Sequence, residues 1–294
     1  MMFNFGSINM DLVYRVSHLP EAGETLHCRS FERFLGGKGI NQSIAMAQSG
    51  APVRHIGCVG ADGAWVRDRI RQFGIALDDI VTVDQPTGHA IICVDDAGEN
   101  RIVVAGGANH GFTRARIDAT LATARAGDWV MLQNETNLVP HIAAQAKIMG
   151  LHVCYSAAPL DADAVAQILP QLDMIAINEG EAAALAAAHG RAASELGIPY
   201  VLITRGRAGA VFHARGTTFE QAGFPVTPVD TTGAGDTFLG AFMARFVETG
   251  PRNALRFAAA SAAIQVTRPG AAAGIPARAD VEAFLANAQD PDRY

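Results

Sequence analysis

The chain has 294 residues, of which 49% are hydrophobic and 18% charged, with a formal net charge of -6. It is long enough to bury a large core in one α/β domain or two smaller ones. The acidic balance, with no basic run, excludes a protein that grips nucleic-acid phosphates through clustered Lys and Arg.

The opening residues Met1 to Asn9 lack the charged start, apolar run and cleavage site of a signal peptide. No segment approaches the ~20 apolar residues of a membrane span, so a cytoplasmic protein with no membrane partner is expected. Short apolar runs then alternate with stretches of helical period, the pattern of a parallel sheet covered by helices. The first run, Phe3 to Ile8, leads to Asp11, whose carboxylate could accept two hydroxyl hydrogen bonds from a polyol; an isolated loop aspartate is more often simply solvated.

From about Leu12 to Phe34 the rhythm breaks. It resumes at Phe34-Leu35-Gly36-Gly37-Lys38-Gly39-Ile40-Asn41, which offers a lysine, an amide and exposed backbone at a helix start, or merely a turn and cap. Helical spacing follows at Ile40, Ile44, Ala45 and Ala47 before Gly50, and at Trp65, Val66, Ile70 and Phe73 before Gly74. The trailing glycines suit C-terminal caps. A second extended region, Gly88 to Ala105, reads as a hairpin: Ala90 to Val94, a turn through Asp96 to Asn100, then Ile102 to Val104. Segments 12–34 and 88–105 are expected to form a small accessory sheet, either a lid or a dimer surface, on one domain spanning 1–294. The apolar residues Ile91, Cys93, Ile102 and Val104 motivate a homodimer through that sheet.

A helix pattern at Ile117, Leu121 and Ala124 precedes the clearest buried strands: Trp129 to Leu132, Leu151 to Tyr155, Met174 to Ile177 and Tyr200 to Ile203. In such sheets ligands bind at the carboxyl ends of the strands, so residues just after each run are where chemistry is expected. Cys28, Cys58, Cys93 and Cys154 are widely spaced and read as reduced core thiols; no His or Cys pair has zinc-ligand spacing.

The most informative stretch is Val229-Asp230-Thr231-Thr232-Gly233-Ala234-Gly235-Asp236-Thr237-Phe238, which runs into a helix through Leu239, Phe242 and Phe246. Glycines leave N–H groups unobstructed at a helix start, so the loop can hold phosphate oxygens. The spacing matches neither the P-loop nor the dinucleotide fingerprint, and no Gly-x-Gly-x-x-Gly follows the first strand, which disfavours a dehydrogenase. The helix dipole and nearby N–H groups would favour ionised Asp236, suiting a general base; the alternative is a helix cap.

Together these segments resemble the PfkB family of carbohydrate kinases, most closely its ribokinase members. The likeness runs through Gly6 to Asp11, Pro20 to Thr25, Gly36 to Asn41, Gly98-Glu99-Asn100, Gly107-Ala108-Asn109 and Asp230 to Phe238. It implies a ribokinase-like, doubly wound, mostly parallel α/β sheet flanked by helices, with a small β-sheet lid. It also implies ATP-dependent phosphorylation of a sugar hydroxyl with Mg2+, and in some members K+.

On this resemblance Asp236 is the base, and the backbone N–H groups of Gly233, Ala234, Gly235 and Asp236 stabilise developing charge. Asp11, Gly37, Lys38, Asn41 and Glu135 contact the sugar. Asn178 and Glu181 match the element that organises Mg2+ and its waters, or form a helix cap and its supporting glutamate. Thr204, Gly206 and Gly209 match the nucleotide loop. Asp230, Thr232, Gln265, Arg268, Gly270 and Gly274 fall where potassium is held, largely by carbonyls.

Ser156 replaces a frequent asparagine, Ala259 replaces a histidine that can lie beside adenine, and the segment His189 to Pro199 is short. Ribose is the leading substrate; fructose, a nucleoside or 2-keto-3-deoxygluconate are the alternatives. A non-catalytic sugar or nucleotide sensor on the same fold is a further one, disfavoured by the intact Asp236, Asn178 and Glu181.

Overall fold

A computed structural model describes residues 1–288. In chain order the strands are β1 (Met2–Phe5), β2 (Asn9–Arg15), β3 (Ser30–Gly36), β4 (Val53–Val59), β5 (Ile80–Thr82), β6 (Gly88–Val94), β7 (Asn100–Ala105), β8 (Trp129–Gln133), β9 (His152–Ser156), β10 (Met174–Asn178), β11 (Tyr200–Thr204), β12 (Ala210–Ala214) and β13 (Thr217–Gln221). The helices are α1 (Lys38–Gln48), α2 (Ala64–Gln72), α3 (Arg114–Leu121), α4 (Val139–Ile148), α5 (Ala162–Ile168), α6 (Glu179–His189), α7 (Ala234–Thr249), α8 (Pro251–Val266), α9 (Ala271–Gly274) and α10 (Arg278–Asn287).

Nine strands form one sheet in the order β13-β12-β11-β10-β9-β8-β1-β4-β5, parallel except where β12 pairs antiparallel with β11 and β13. The expected doubly wound, mostly parallel sheet is present. Alternate residues of its strands feed two cores: Phe3, Phe5, Val130 and Leu132 pack with Ile142 and Val165, whereas Met2, Trp129 and Met131 pack with Phe242 and Leu255. Burial on both faces is why these strands read as continuous apolar runs. The chain winds from β1 toward β5, then returns to β8 and winds the other way, so the switch point, near which such sheets bind ligands, lies between β1 and β8.

The two irregular segments join in a separate four-stranded sheet, β3-β2-β6-β7. It begins at Asn9, earlier than the expected Leu12, so Asp11 lies within a strand, paired with Phe34 and Ala90, and not in a loop. Register also separates the four apolar residues expected to act together. Ile91 pairs with Val103 and Ile92 with Ile102, which puts Ile91 and Cys93 on one face and Ile102 and Val104 on the other. Cys58 and Cys154 are buried free thiols as expected, but Cys28 is exposed. Among the described residues no helix is long and apolar enough to cross a membrane.

Candidate active site

Asp236 lies in the first turn of α7, yet it caps nothing: the N-cap is Gly233, held in the left-handed region at φ 77, and no side chain caps the helix. A Cβ on Gly233 would also stand 2.8 Å from that of Ala271, so glycine is required twice over. The Ala234 N–H donates to the Thr231 carbonyl (3.2 Å), whereas those of Gly235 and Asp236 have no acceptor among the described residues. Two unspent donors at a helix start form an anion site.

The Asp236 carboxylate takes its hydrogen bonds from α1 and none from its own loop. Asn41 Nδ2 donates to Oδ2 (3.2 Å) and Gln42 Nε2 to Oδ1 (3.0 Å). Burial pushes the Asp236 carboxyl above the ordinary aspartate range, against the pull of Lys38, Gln42 and Asn41. The net direction is opposite to that expected from helix dipole and N–H groups alone, because desolvation outweighs them.

Glu135, just beyond β8, accepts from the Ser7 hydroxyl and from the Lys38 N–H (3.0 Å), so one carboxylate oxygen is committed to anchoring the start of α1. Burial raises its pKa and the Asp236 charge adds to that, opposed by Ser7 and Lys38. Asp11 is raised to about 6, by burial first and then by the Glu135 charge. The structure therefore sets Glu135 and Asp236 within reach of the Lys38 charge, with Asp11 beside Glu135 and Gly37 as N-cap of α1.

A family model for pfkB family carbohydrate kinases matches residues 2–278. The ribokinase of Haemophilus influenzae is 38% identical over 96% of this chain and 97% of its own. A crystal structure of ribokinase from Thermotoga maritima superposes with a TM-score of 0.86 at 34% identity, covering 97% of this chain and 98% of that one. The Arabidopsis thaliana ribokinase solved with ribose and ATP gives 0.83 at 28%, covering 98% of each.

The chain belongs to the pfkB family of carbohydrate kinases. In this kinase two cavities meet above α7. The smaller, of about 240 Å³, is lined by Lys38, Ser156, Asn178, Glu181, Thr204, Thr231 and the Gly233–Asp236 turn. The larger, of about 630 Å³, is lined by Gly206, Gly209, Phe224, Pro225, Val226, Phe238 and Ala259, and shares Thr204, Thr231, Ala234 and Gly235 with the first. A polar chamber opening into a mainly apolar one has the chemistry of a phosphate chain leading to a flat base.

Asn178 caps α6 and accepts from the Glu181 N–H (2.8 Å), while Glu181 Oε2 accepts from the Asn178 N–H (2.8 Å). The capping box and a place in the cavity wall coexist. Among the described residues there is no cluster of three metal-ligating side chains. One cavity-lining carboxylate with free oxygen capacity fits a Mg2+ ion that arrives with phosphates and keeps its waters.

Below the loop, Asp230 accepts from the N–H groups of Thr232 (2.9 Å) and Gly270 (2.9 Å). Although burial opposes it, these bonds hold its carboxyl below the usual range. Gln265 Nε2 donates to the Thr232 carbonyl (2.8 Å), the Gly274 N–H donates to the Gly270 carbonyl (3.0 Å), and Arg268 turns its guanidinium to Asp280 (3.1 Å). Gln265 Oε1 is buried without a partner among the described residues. An oxygen-rich loop with one orphaned oxygen fits a monovalent cation, with Arg268 able to contribute only its carbonyl.

Sequence reasoning overlooked Gln42, Gln133 and Asn4. Their signal was weak but present: a glutamine directly after Asn41, a second ending the apolar β8, and an asparagine inside the first apolar run.

Proposed function

We propose that the chain transfers the γ-phosphoryl group of ATP to a primary sugar hydroxyl, with D-ribose giving ribose 5-phosphate as the leading reaction. Fructose, a nucleoside and 2-keto-3-deoxygluconate are the competing substrates. The observation that carries this reading is the Asp236 carboxylate, fixed on both oxygens by Asn41 and Gln42 and set in the same turn as the unspent N–H groups of Gly235 and Asp236.

Asp236 takes the proton from the hydroxyl, which attacks the γ-phosphorus in line. The N–H groups of Gly235 and Asp236, with the Lys38 ammonium, stabilise the charge spreading over the phosphoryl oxygens. Asp11 and the free oxygen of Glu135 accept hydrogen bonds from other sugar hydroxyls, with Gly37 and Asn41 shaping the same wall. Thr204, Gly206 and Gly209 border the nucleotide, its base in the larger chamber beside Ala259. Mg2+ would be held by Glu181 beside Asn178 and would supply charge neutralisation of the phosphates. K+ would be held by oxygens of Asp230, Thr232, Gln265, Arg268, Gly270 and Gly274.

The accessory sheet would act as a lid over the sugar and pair with that of a second copy; the exposure of Ile102, Val103 and Val104 on edge strand β7 supports this. Light scattering giving a monomer mass with and without ligands would count against the dimer. The deciding experiment is ADP release from MgATP across the four substrates, in KCl and in LiCl. Turnover of one compound, lost in Asp236→Asn, supports the kinase reading and names the substrate; folded, ATP-binding protein that is silent on all four removes this substrate range.

A further inference from the structure

Gln42 is fully buried and sits in the only line of amides that reaches Asp236 from the sheet among the described residues. The line starts at a group with no choice of direction. The Gly39 carbonyl can only accept, so Asn4 must present its Nδ2 there (2.7 Å), and that nitrogen also reaches Ser43 Oγ (2.8 Å). Asn4 Oδ1 therefore faces the other way and accepts from Gln133 Nε2 (2.9 Å). The second hydrogen of Gln133 Nε2 goes to Gln42 Oε1 (2.9 Å). With its oxygen taken, Gln42 has only N–H left to offer, to Asp236 Oδ1 (3.0 Å) and Ser156 Oγ (3.3 Å).

We infer that Gln42 is a positioning residue for the base, and that Gln133 fixes its direction, so that Asp236 always meets a donor from beneath and keeps its proton-accepting oxygen turned to the substrate. A glutamine whose oxygen has no donor could swing its amide away from Asp236, or turn its oxygen to the protonated acid and so favour the uncharged form; a fully satisfied network removes that freedom. Gln133 leaves its own Oε1 buried without a partner among the described residues, a cost accepted to spend both hydrogens on the line. The inference rests on Asp236 being the base, as proposed above.

The titratable groups around Asp236 are Lys38 on α1 and Glu135 beyond β8, with Asp11 of β2 beside Glu135. At the far end of the line, Ser43 meets His55, which burial holds neutral with a pKa near about 3. None of these is changed by substituting a glutamine.

The test uses Gln133→Met and Gln42→Met, which add no charge, with folding checked by circular dichroism and melting. The Asp236 carboxyl carbon is followed by ¹³C NMR through a pH titration and assigned by its loss in Asp236→Asn. The expected result in both variants is a midpoint raised by one unit or more; with the sugar that the wild type turns over, kcat falls at least ~10-fold and the sugar KM stays within about two-fold. Gln133→Met is the sharper arm, because it does not touch Asp236. A folded Gln133→Met protein with wild-type midpoint overturns the inference whether or not the wild type turns over sugar; silence of the wild type alone counts against the kinase reading and leaves the titration to judge this one. If Gln133→Met does not fold, the Gln42→Met titration decides in the same way.

Discussion

A Cβ placed on Gly240 of α7 would stand 2.6 Å from the backbone carbonyl of Gln42 and 2.5 Å from the Cβ of Ala45 on α1. The two helices that bring base and amides together touch at a residue with no side chain. Gly240→Ala must push them apart by several tenths of an ångström, and Gln42 then loses its reach to Asp236. Such overpacking costs ~1–3 kcal/mol. The expected outcome is a lower denaturation midpoint together with a fall in kcat larger than any rise in sugar KM. Unchanged kinetics in a destabilised Gly240→Ala protein would show that the crossing serves stability alone.

Asp236→Asn removes the proton acceptor while keeping the shape. Asn41 Oδ1 has no partner among the described residues, so the Asn41 amide can flip and accept from the new carboxamide. Stability is therefore expected to change by no more than about 1 kcal/mol. Turnover should fall by ~10² to 10⁴-fold, the usual worth of general-base help, with sugar and ATP binding retained in calorimetry. Loss of both binding and fold would mean that the carboxylate is structural.

The carboxyl of Asp11 is raised to about 6 from 3.8, so its charge is held at a cost in the folded state. For an acid shifted upward, the folded state binds the extra proton, and stability declines as pH rises from about 4 through 6. A shift of that size corresponds to ~3 kcal/mol for a fully buried group, and partial solvent contact reduces it to about 1–2 kcal/mol. Asp11→Asn is expected to melt higher than wild type at pH 7.5, with the gap closing toward pH 4, and to bind sugar at least ~10-fold more weakly. Sugar hydroxyls donate to the ionised form, so wild-type sugar affinity should weaken below pH 6; a flat affinity profile between pH 5 and 8 would argue that Asp11 does not contact the sugar.

The central strands were legible because burial on both faces leaves β8 to β11 as mainly apolar runs, and β9 to β11 end in residues that line the cavities. The antiparallel pair β12 and β13 was not read: His213 and Glu220 interrupt its apolar pattern, and its hairpin turns through Arg215 at φ 46 rather than a recognisable turn pair. The loop pointed to Asp236 as a candidate base, but the sign of its shift was not legible, since desolvation depends on what packs around it, α1 included. Gln42 carries only a weak local signature, its place directly after Asn41. A polar residue next to Asn41 on a helix reads as solvated until α7 crosses that face. The apolar alternation of the second sheet was visible, whereas which residues share a face depended on the register set by the loop from Asp95 to Glu99.

Gln265 ties α8 to the loop that carries the base, through the 2.8 Å bond from Nε2 to the Thr232 carbonyl. Thr232 in turn donates its N–H to Asp230, which also holds the N–H of Gly270. Gln265→Leu keeps the bulk but removes both the donor and the orphaned oxygen. Losing this partly buried hydrogen bond costs ~0.5–1.5 kcal/mol, so the variant is expected to unfold at slightly lower denaturant concentration. Thr231, Ala234 and Gly235 of this loop border both cavities, so the KM for ATP should rise several-fold while that for sugar changes little, since the proposed sugar contacts lie on β2, beyond β8 and at the start of α1. If K+ is held here, KCl should raise the wild-type melting temperature above its value in LiCl at equal ionic strength, and the difference should shrink in Gln265→Leu. An ATP KM equal to wild type, with no salt-specific melting in either protein, would reduce Gln265 to an ordinary packing residue of α8.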